Sequence, residues 1–110
     1  MKRVNGFILI MIMAGTMLPL ATQAGDAKAA KAQASSLCAG CHGPKGVSSN
    51  PLWPNLAGQK EQYLIKQMKD YKEGRRADPV MAPLTVTLDE TAIENLAAYY
   101  AAMADGSTSD

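Results

Sequence analysis

Cys38-Ala39-Gly40-Cys41-His42 contains both cysteines and the only histidine of the 110-residue chain. The cysteines are three positions apart, so on a helix their thiols lie about one turn apart and on the same side. A Cys-x-x-Cys-His stretch is the attachment signal for c-type haem. Thioethers from Cys38 and Cys41 to the two vinyl groups of the macrocycle leave His42 to reach the iron from one face. The motif therefore predicts one covalently attached haem c.

Other uses of a cysteine pair explain less of the sequence. A thioredoxin-like redox pair requires a βαβ context, which this sequence lacks. A closed zinc site takes four ligands, and Cys38, Cys41 and His42 supply three. A structural disulfide of an exported protein needs no histidine after it, and it stays open as the main alternative at this point.

The N-terminal segment has the order of a secretory signal. Lys2 and Arg3 form a basic start, Val4 to Leu18 is mostly apolar, and small residues from Pro19 to Ala24 precede a change in composition. The apolar run of about 15 residues is shorter than the roughly 20 of a membrane-spanning helix. We expect residues 1–24 to be a signal peptide that is cleaved after Ala24, which releases a soluble protein into the periplasm without stable membrane insertion.

The remaining residues 25–110 form one small domain of about 86 residues. Without Lys2 and Arg3 the domain has nine basic and ten acidic side chains, a formal charge of −1 that gives no reason to bind nucleic acid. It lacks phenylalanine, and Trp53 is its single tryptophan. Because so small a domain buries little core, we expect disulfides, a metal or a large apolar cofactor to complete it.

The periodicity predicts an all-α fold with three main helices and two long loops. A first helix is expected over Asp26–Leu37, a second over Lys60–Glu73 with Gly74 as its stop, and a third after an Asp89 cap with a Leu88–Ile93 hydrophobic staple. The segments Gly43–Gly58 and Gly74–Thr87 are rich in glycine and proline and are expected to be irregular. Such long loops in a compact domain are typical of ligand binding.

The sequence resembles the class I c-type cytochromes, in particular the short monohaem bacterial type and single halves of dihaem relatives. The resemblance covers Asp26 to Met103. It is carried by the haem motif with Gly43, by Pro54-Asn55-Leu56-Ala57-Gly58-Gln59, by Tyr63-Leu64, by Gly74-Arg75-Arg76 before Met81, and by Leu96-Ala97-Ala98-Tyr99. It implies the cytochrome c fold, in which the first and last helices cross, here near Ala30, Lys31 and Ala34 against Leu96 and Tyr99.

The resemblance also implies the ligands of the iron. His42 corresponds to the proximal ligand, and the Pro54 carbonyl to the acceptor of its ring N–H, which fixes the tautomer and raises the basicity of the ligand. Met81, between Pro79 and Pro83, corresponds to the sixth ligand. Met68 and Met103 lie on apolar helix faces and are expected to fill the core. Whether Trp53, Tyr63, Arg75 or Arg76 contacts the haem edge or a propionate stays open.

An iron held by His42 and Met81 has no free axial position, so the expected function is one-electron transfer rather than catalysis. The expected partners are redox protein donors and acceptors that bind transiently to a monomer. Two alternatives stay open. One is a haem sensor or enzyme that binds a gas or peroxide at an open sixth position, although a distal acid or base is hard to find without a second histidine. The other is a fixed haem subunit of a larger oxidoreductase.

Overall fold

The computed structural model describes residues 14–19 and 25–104. Residues 14–19 are exposed and have no regular secondary structure. The rest of the predicted signal peptide, with its cleavage site after Ala24, lies outside the described residues, as does the polar tail predicted from Gly106. Within the described residues, no helix has the length and apolar character needed to cross a membrane.

The described part of the chain is helical and contains no strand, which confirms the predicted all-α class. Along the chain its helical segments are α1 (Ala27–Gln33), a π-helical turn (Ala34–Cys38), α2 (Ala39–His42), α3 (Glu61–Lys72), α4 (Met81–Val86) and α5 (Glu90–Ala101).

The first helix starts where it was predicted and ends later. The Asp26 side chain caps α1 by accepting hydrogen bonds from the N–H groups of Lys28 and Ala29. The predicted end at Leu37 is wrong, because the π-helical turn and α2 extend the helical segment to His42. The haem motif therefore lies on a helix, and π-helical turns of this kind are frequent at functional sites.

The two long helices agree closely with the sequence pattern. α3 is followed by Gly74, whose φ of +77° is the left-handed conformation common after a helix end. Before α5, Asp89 Oδ1 accepts a hydrogen bond of 2.7 Å from the N–H of Ala92. Leu88 and Ile93 are both buried, at the positions of a hydrophobic staple.

The second predicted loop contains a short helix that the sequence analysis missed. α4 begins at Met81, so this residue lies at a helix start and not in an irregular loop. Pro83 did not prevent the helix, because proline is tolerated in the first turn, where the backbone N–H has no helical partner. The predicted three main helices are therefore joined by a fourth, α4, inside the second loop.

The core lies where α1 crosses α5, and α3 packs against α4 and α5. Ala30, Ala34 and Ala97 are almost fully buried at this crossing, and their small side chains allow the two helices to approach closely. The Asn95 Oδ1 atom accepts a hydrogen bond of 2.7 Å from the N–H of Asp26, which joins the start of α1 to α5. The crossing leaves the other face of α2 and α3 free to line a cavity.

Candidate haem-binding site

A cavity of about 470 Å³ lies between the end of α2, the first loop, α3, α4 and α5. Its wall is mostly apolar, and it lies within the size range of ligand sites. The residues at its wall that bear on the site are Cys38, Cys41, His42, Trp53, Pro54, Tyr63, Gln67, Met68, Tyr71, Arg76, Asp78, Met81, Thr85 and Tyr100. All five residues predicted to hold the haem or its ligand, Cys38, Cys41, His42, Pro54 and Met81, line this cavity.

His42 is buried, with 7% of its surface exposed, and its ring is oriented by the first loop. Its Nδ1–H donates a hydrogen bond of 2.8 Å to the carbonyl oxygen of Pro54. A carbonyl only accepts, so the hydrogen lies on Nδ1 and the Nε2 lone pair is available to a metal. The ring thus has the tautomer that an iron ligand needs.

Hydrogen bonds hold the first loop, residues 43–58, in a fixed shape next to His42. Ser48 Oγ donates to the carbonyl of Cys41 at 3.1 Å, and the N–H of Ser48 donates to Asn55 Oδ1 at 2.7 Å. Gly43 has φ +83°, and a Cβ atom there would lie 2.0 Å from the carbonyl oxygen of Val47. The turn after His42 therefore requires glycine, and the loop can bring Pro54 back to the histidine ring.

The two cysteines are half-buried and form no disulfide with each other. Both lie at the cavity wall. Burial is the main cause that raises the pKa of the Cys38 thiol. The disulfide that the sequence left open is therefore not the arrangement in this structure.

Met81 is positioned by two side chains that the sequence analysis did not single out. Asp78 Oδ1 accepts hydrogen bonds of 2.8 Å from the N–H groups of Met81 and Val80, and these bonds lower the pKa of the Asp78 carboxyl. The buried Thr85 donates from Oγ1 to the carbonyl of Met81 at 3.0 Å. The sequence does contain a sign of the role of Asp78, because an aspartate two to three residues before a short apolar run is typical of a helix start.

The other two methionines differ from each other. Met68 and Met103 are both half-buried against the core, as predicted. Met68 also lines the cavity, whereas Met103 does not. The cavity therefore contains two thioether groups, one on α3 and one at the start of α4.

Tyr100 contributes a polar atom without a partner to the cavity wall. Its hydroxyl is buried near the Cys38 thiol. The hydroxyl forms no hydrogen bond with that thiol or with any other described residue. Burial raises the pKa of Tyr100 well above its ordinary value. An orphaned hydroxyl in the wall of an apolar cavity is compatible with a bound group that completes the site.

These residues fit a covalently held haem. The cavity contains two thiols one turn apart, an imidazole with a free Nε2, two methionine side chains and mostly apolar walls. The sequence model of the cytochrome c family matches residues 27–103. The chain belongs to the cytochrome c family. Haem c is the cofactor of this family, and the predicted resemblance is confirmed.

Relatives within the cytochrome c family include longer and equally short proteins. Cytochrome c4 of Thiocapsa roseopersicina is 47% identical over 81 residues, which cover 74% of this chain and 42% of the relative. Cytochrome c-554(548) of Halomonas halodenitrificans is 38% identical over 80 residues, which cover 70% of this chain and 95% of the relative. The structure of Acidithiobacillus ferrooxidans cytochrome c4 superposes with a TM-score of 0.64 at 28% identity, covering 70% of this chain and 49% of that one. The chain thus spans about half or less of these cytochrome c4 relatives.

Proposed function

We propose that this cytochrome c domain is a one-electron carrier whose haem iron is ligated by His42 and Met81. The observation that carries the proposal is that His42, Met81 and both cysteines line a single apolar cavity. The haem c supplies a centre that takes up and releases one electron reversibly, and a pair of protein ligands to its iron leaves no axial position for a substrate.

Different residues of the chain tether the haem and orient its proposed ligands. Cys38 and Cys41 tether it, which matters in a domain with a small core. Pro54 accepts the Nδ1–H of His42 at 2.8 Å, so the ring cannot rotate away from the iron. Asp78 and Thr85 fix the backbone of Met81 by hydrogen bonds to its N–H and its carbonyl. Ligands held rigidly in this way need little rearrangement when an electron arrives.

The proposed role includes no bond-making catalysis. The only histidine of the sequence is used as the proximal ligand, so the chain lacks a second imidazole to act as a distal acid or base. A sensor or enzyme with an open sixth position remains the rival, and it requires Met81 to be absent from the iron.

We propose further that the domain works in the periplasm as a monomer with transient redox partners. The basic, apolar and small-residue order of residues 1–24 supports export. A charge near −1 supports weak electrostatic steering and short-lived contacts. The alternative of a fixed haem subunit also needs testing, because several relatives are about twice as long.

Four measurements on the purified holoprotein test the proposal. Denaturing gels should retain haem stain after boiling, because thioethers survive unfolding. The oxidised protein should show the weak near-infrared charge-transfer band of sulfur-ligated ferric haem, and the reduced protein should bind carbon monoxide poorly. A wild-type protein that lacks the band and takes up carbon monoxide readily would replace the carrier by the sensor or enzyme. A stoichiometric complex that survives gel filtration in high salt would favour the fixed subunit.

A further inference from the structure

We propose that Arg76 forms an ion pair with a haem propionate at the mouth of the cavity and thereby raises the reduction potential. The inference deepens the proposed function and rests on it. It assigns to one of two adjacent arginines a role that the sequence left open between them.

Arg75 and Arg76 point to different surroundings although they are neighbours. The Arg75 side chain donates from Nε to Asp70 Oδ1 at 2.8 Å and pairs through Nη1 with Glu73. It does not line the cavity. Its charge is therefore already matched by two carboxylates, Asp70 and Glu73, away from the cavity.

Arg76 lines the cavity and is held in place without a carboxylate. Its guanidinium carbon lies 4.5 Å over the ring of Tyr71, and its Nη1 donates to Gln67 Oε1 at 2.6 Å. Its backbone N–H donates to the carbonyl of Asp70 at 3.0 Å. Tyr71 and Gln67 both line the cavity themselves. The guanidinium is thus positioned at the cavity by a stacking contact and a hydrogen bond to a neutral amide.

The charge of Arg76 has no anionic partner at contact distance. Among residues 25–104, no carboxylate oxygen lies within 4.0 Å of its guanidinium nitrogens. The Asp78 carboxylate is near enough for the positive charge to lower its pKa, but its Oδ1 is engaged by the N–H groups of Val80 and Met81. A guanidinium has five N–H donors, and the bond to Gln67 uses one of its nitrogens, so donors remain for a ligand.

The chemistry of the missing partner is that of a carboxylate. The haem carries two propionates that are ionised at neutral pH, and an apolar cavity wall cannot solvate them, so they must reach solvent or a cation at the mouth. Arg76 is solvent-exposed at that mouth, and a guanidinium matches a carboxylate with two parallel hydrogen bonds. A fixed positive charge there stabilises the reduced haem, which is one charge more negative, relative to the oxidised haem.

The test is spectroelectrochemical titration of the holoprotein with three variants. Arg76→Gln should lower the midpoint potential, so that at the wild-type midpoint the ratio of reduced to oxidised protein falls roughly twofold to tenfold, with about 59 mV for each tenfold change. Arg76→Lys should retain most of the wild-type potential because it keeps the charge. Arg75→Gln removes the same charge one residue away and is the matched control, with an expected shift much smaller than that of Arg76→Gln.

Each outcome decides the proposal. An Arg76→Gln potential equal to wild type overturns it, and so does an equal shift in Arg75→Gln, which would mean that only net charge matters. Should Arg76→Gln fail to accumulate, Gln67→Ala frees the guanidinium from its amide partner and should lower the potential in the same direction by a smaller amount, and an unchanged potential there overturns the proposal. A wild type without the near-infrared band contradicts the proposed function instead, so the two failures are distinguishable.

Discussion

The Asp78 carboxylate accepts a hydrogen bond of 2.8 Å from the backbone N–H of Met81, and the same oxygen accepts the N–H of Val80. This contact fixes the first turn of α4. The proposed sixth ligand is therefore positioned by the side chain of Asp78, three residues earlier, together with that of Thr85.

Replacement of Asp78 by alanine should weaken the hold on Met81. We expect Asp78→Ala to lose the near-infrared band at a lower temperature than wild type and to bind carbon monoxide faster, because the start of α4 loses its hydrogen-bond acceptor. Asp78→Asn keeps an acceptor and should stay close to wild type. Absorbance melting at the band and carbon monoxide mixing measure both effects. Equal behaviour of the two variants would show that the acceptor at position 78 does not position Met81.

Replacement of Met81 itself separates a ligand from a packing residue. Met81→Ala should abolish the band, open the iron to carbon monoxide and lower the potential, because a thioether favours ferrous iron more than water does. Met103→Ala is the control, since Met103 is half-buried but does not line the cavity. It should cost about 2 kcal/mol of stability, the low end for a methionine in a core, and leave the spectrum unchanged. Because Met68 lines the cavity too, a band that survives Met81→Ala and is lost in Met68→Ala would reassign the ligand.

Two glycines of the haem motif region should respond oppositely to alanine. Gly43→Ala should destabilise the protein by about 1 to 3 kcal/mol or more, because φ +83° and ψ 151° strain any side chain and the new Cβ would meet the Val47 carbonyl. At Gly40 the Cβ of an alanine would have no atom within 4 Å. Gly40→Ala should therefore stabilise α2 by about 0.5 to 1 kcal/mol. Urea denaturation of both holoproteins measures the difference. Equal stabilities would contradict the close approach between Gly43 and Val47.

The helix crossing should not tolerate a larger side chain. Ala97 is fully buried where α5 meets α1, so Ala97→Leu should cost about 1 to 3 kcal/mol by overpacking. The same change at the exposed Ala102 should stay within about 0.5 kcal/mol of wild type. Thermal and urea unfolding compare the two. A neutral Ala97→Leu would mean that α1 and α5 are further apart than in this structure.

Asp70 should make stability depend on pH in the acid range. Hydrogen bonds from Lys66 and then Arg75 lower the pKa of this buried carboxyl below its ordinary value of about 3.9. A lowered native pKa means that the stabilisation is fully present above about pH 4 and is lost as the pH falls through the native pKa. Asp70→Asn should therefore have a lower Tm than wild type at pH 7, and the gap should shrink as the pH falls below about 4, the ordinary pKa of the carboxyl.

Circular dichroism melts at several pH values check the Asp70 prediction. Glu90→Gln is the control, because Glu90 forms an exposed pair with Lys69 and such pairs contribute little. A gap between wild type and Asp70→Asn that does not shrink as the pH falls below about 4 would show that the Asp70 charge does not contribute.

Local signals in the sequence determined much of the fold. The cap at Asp89, the Leu88–Ile93 staple and the stop at Gly74 each depend on residues within a few positions of one another, so they were predictable and are confirmed. The haem motif was equally local, since its chemistry depends on the spacing of two thiols and one imidazole. These features would be the same in almost any arrangement of the helices.

Tertiary packing decided the rest. α4 packs against α3 and buries Thr85, and the local pattern of residues 74–87 did not contain these contacts. Arg75 and Arg76 are adjacent in the sequence, but only Arg76 lines the cavity, which is formed by α3, α4, α5 and the first loop together. Which side chains line the cavity depends on segments far apart along the chain, from Leu37 to Tyr100, and a local sequence pattern contains no information about how such segments meet.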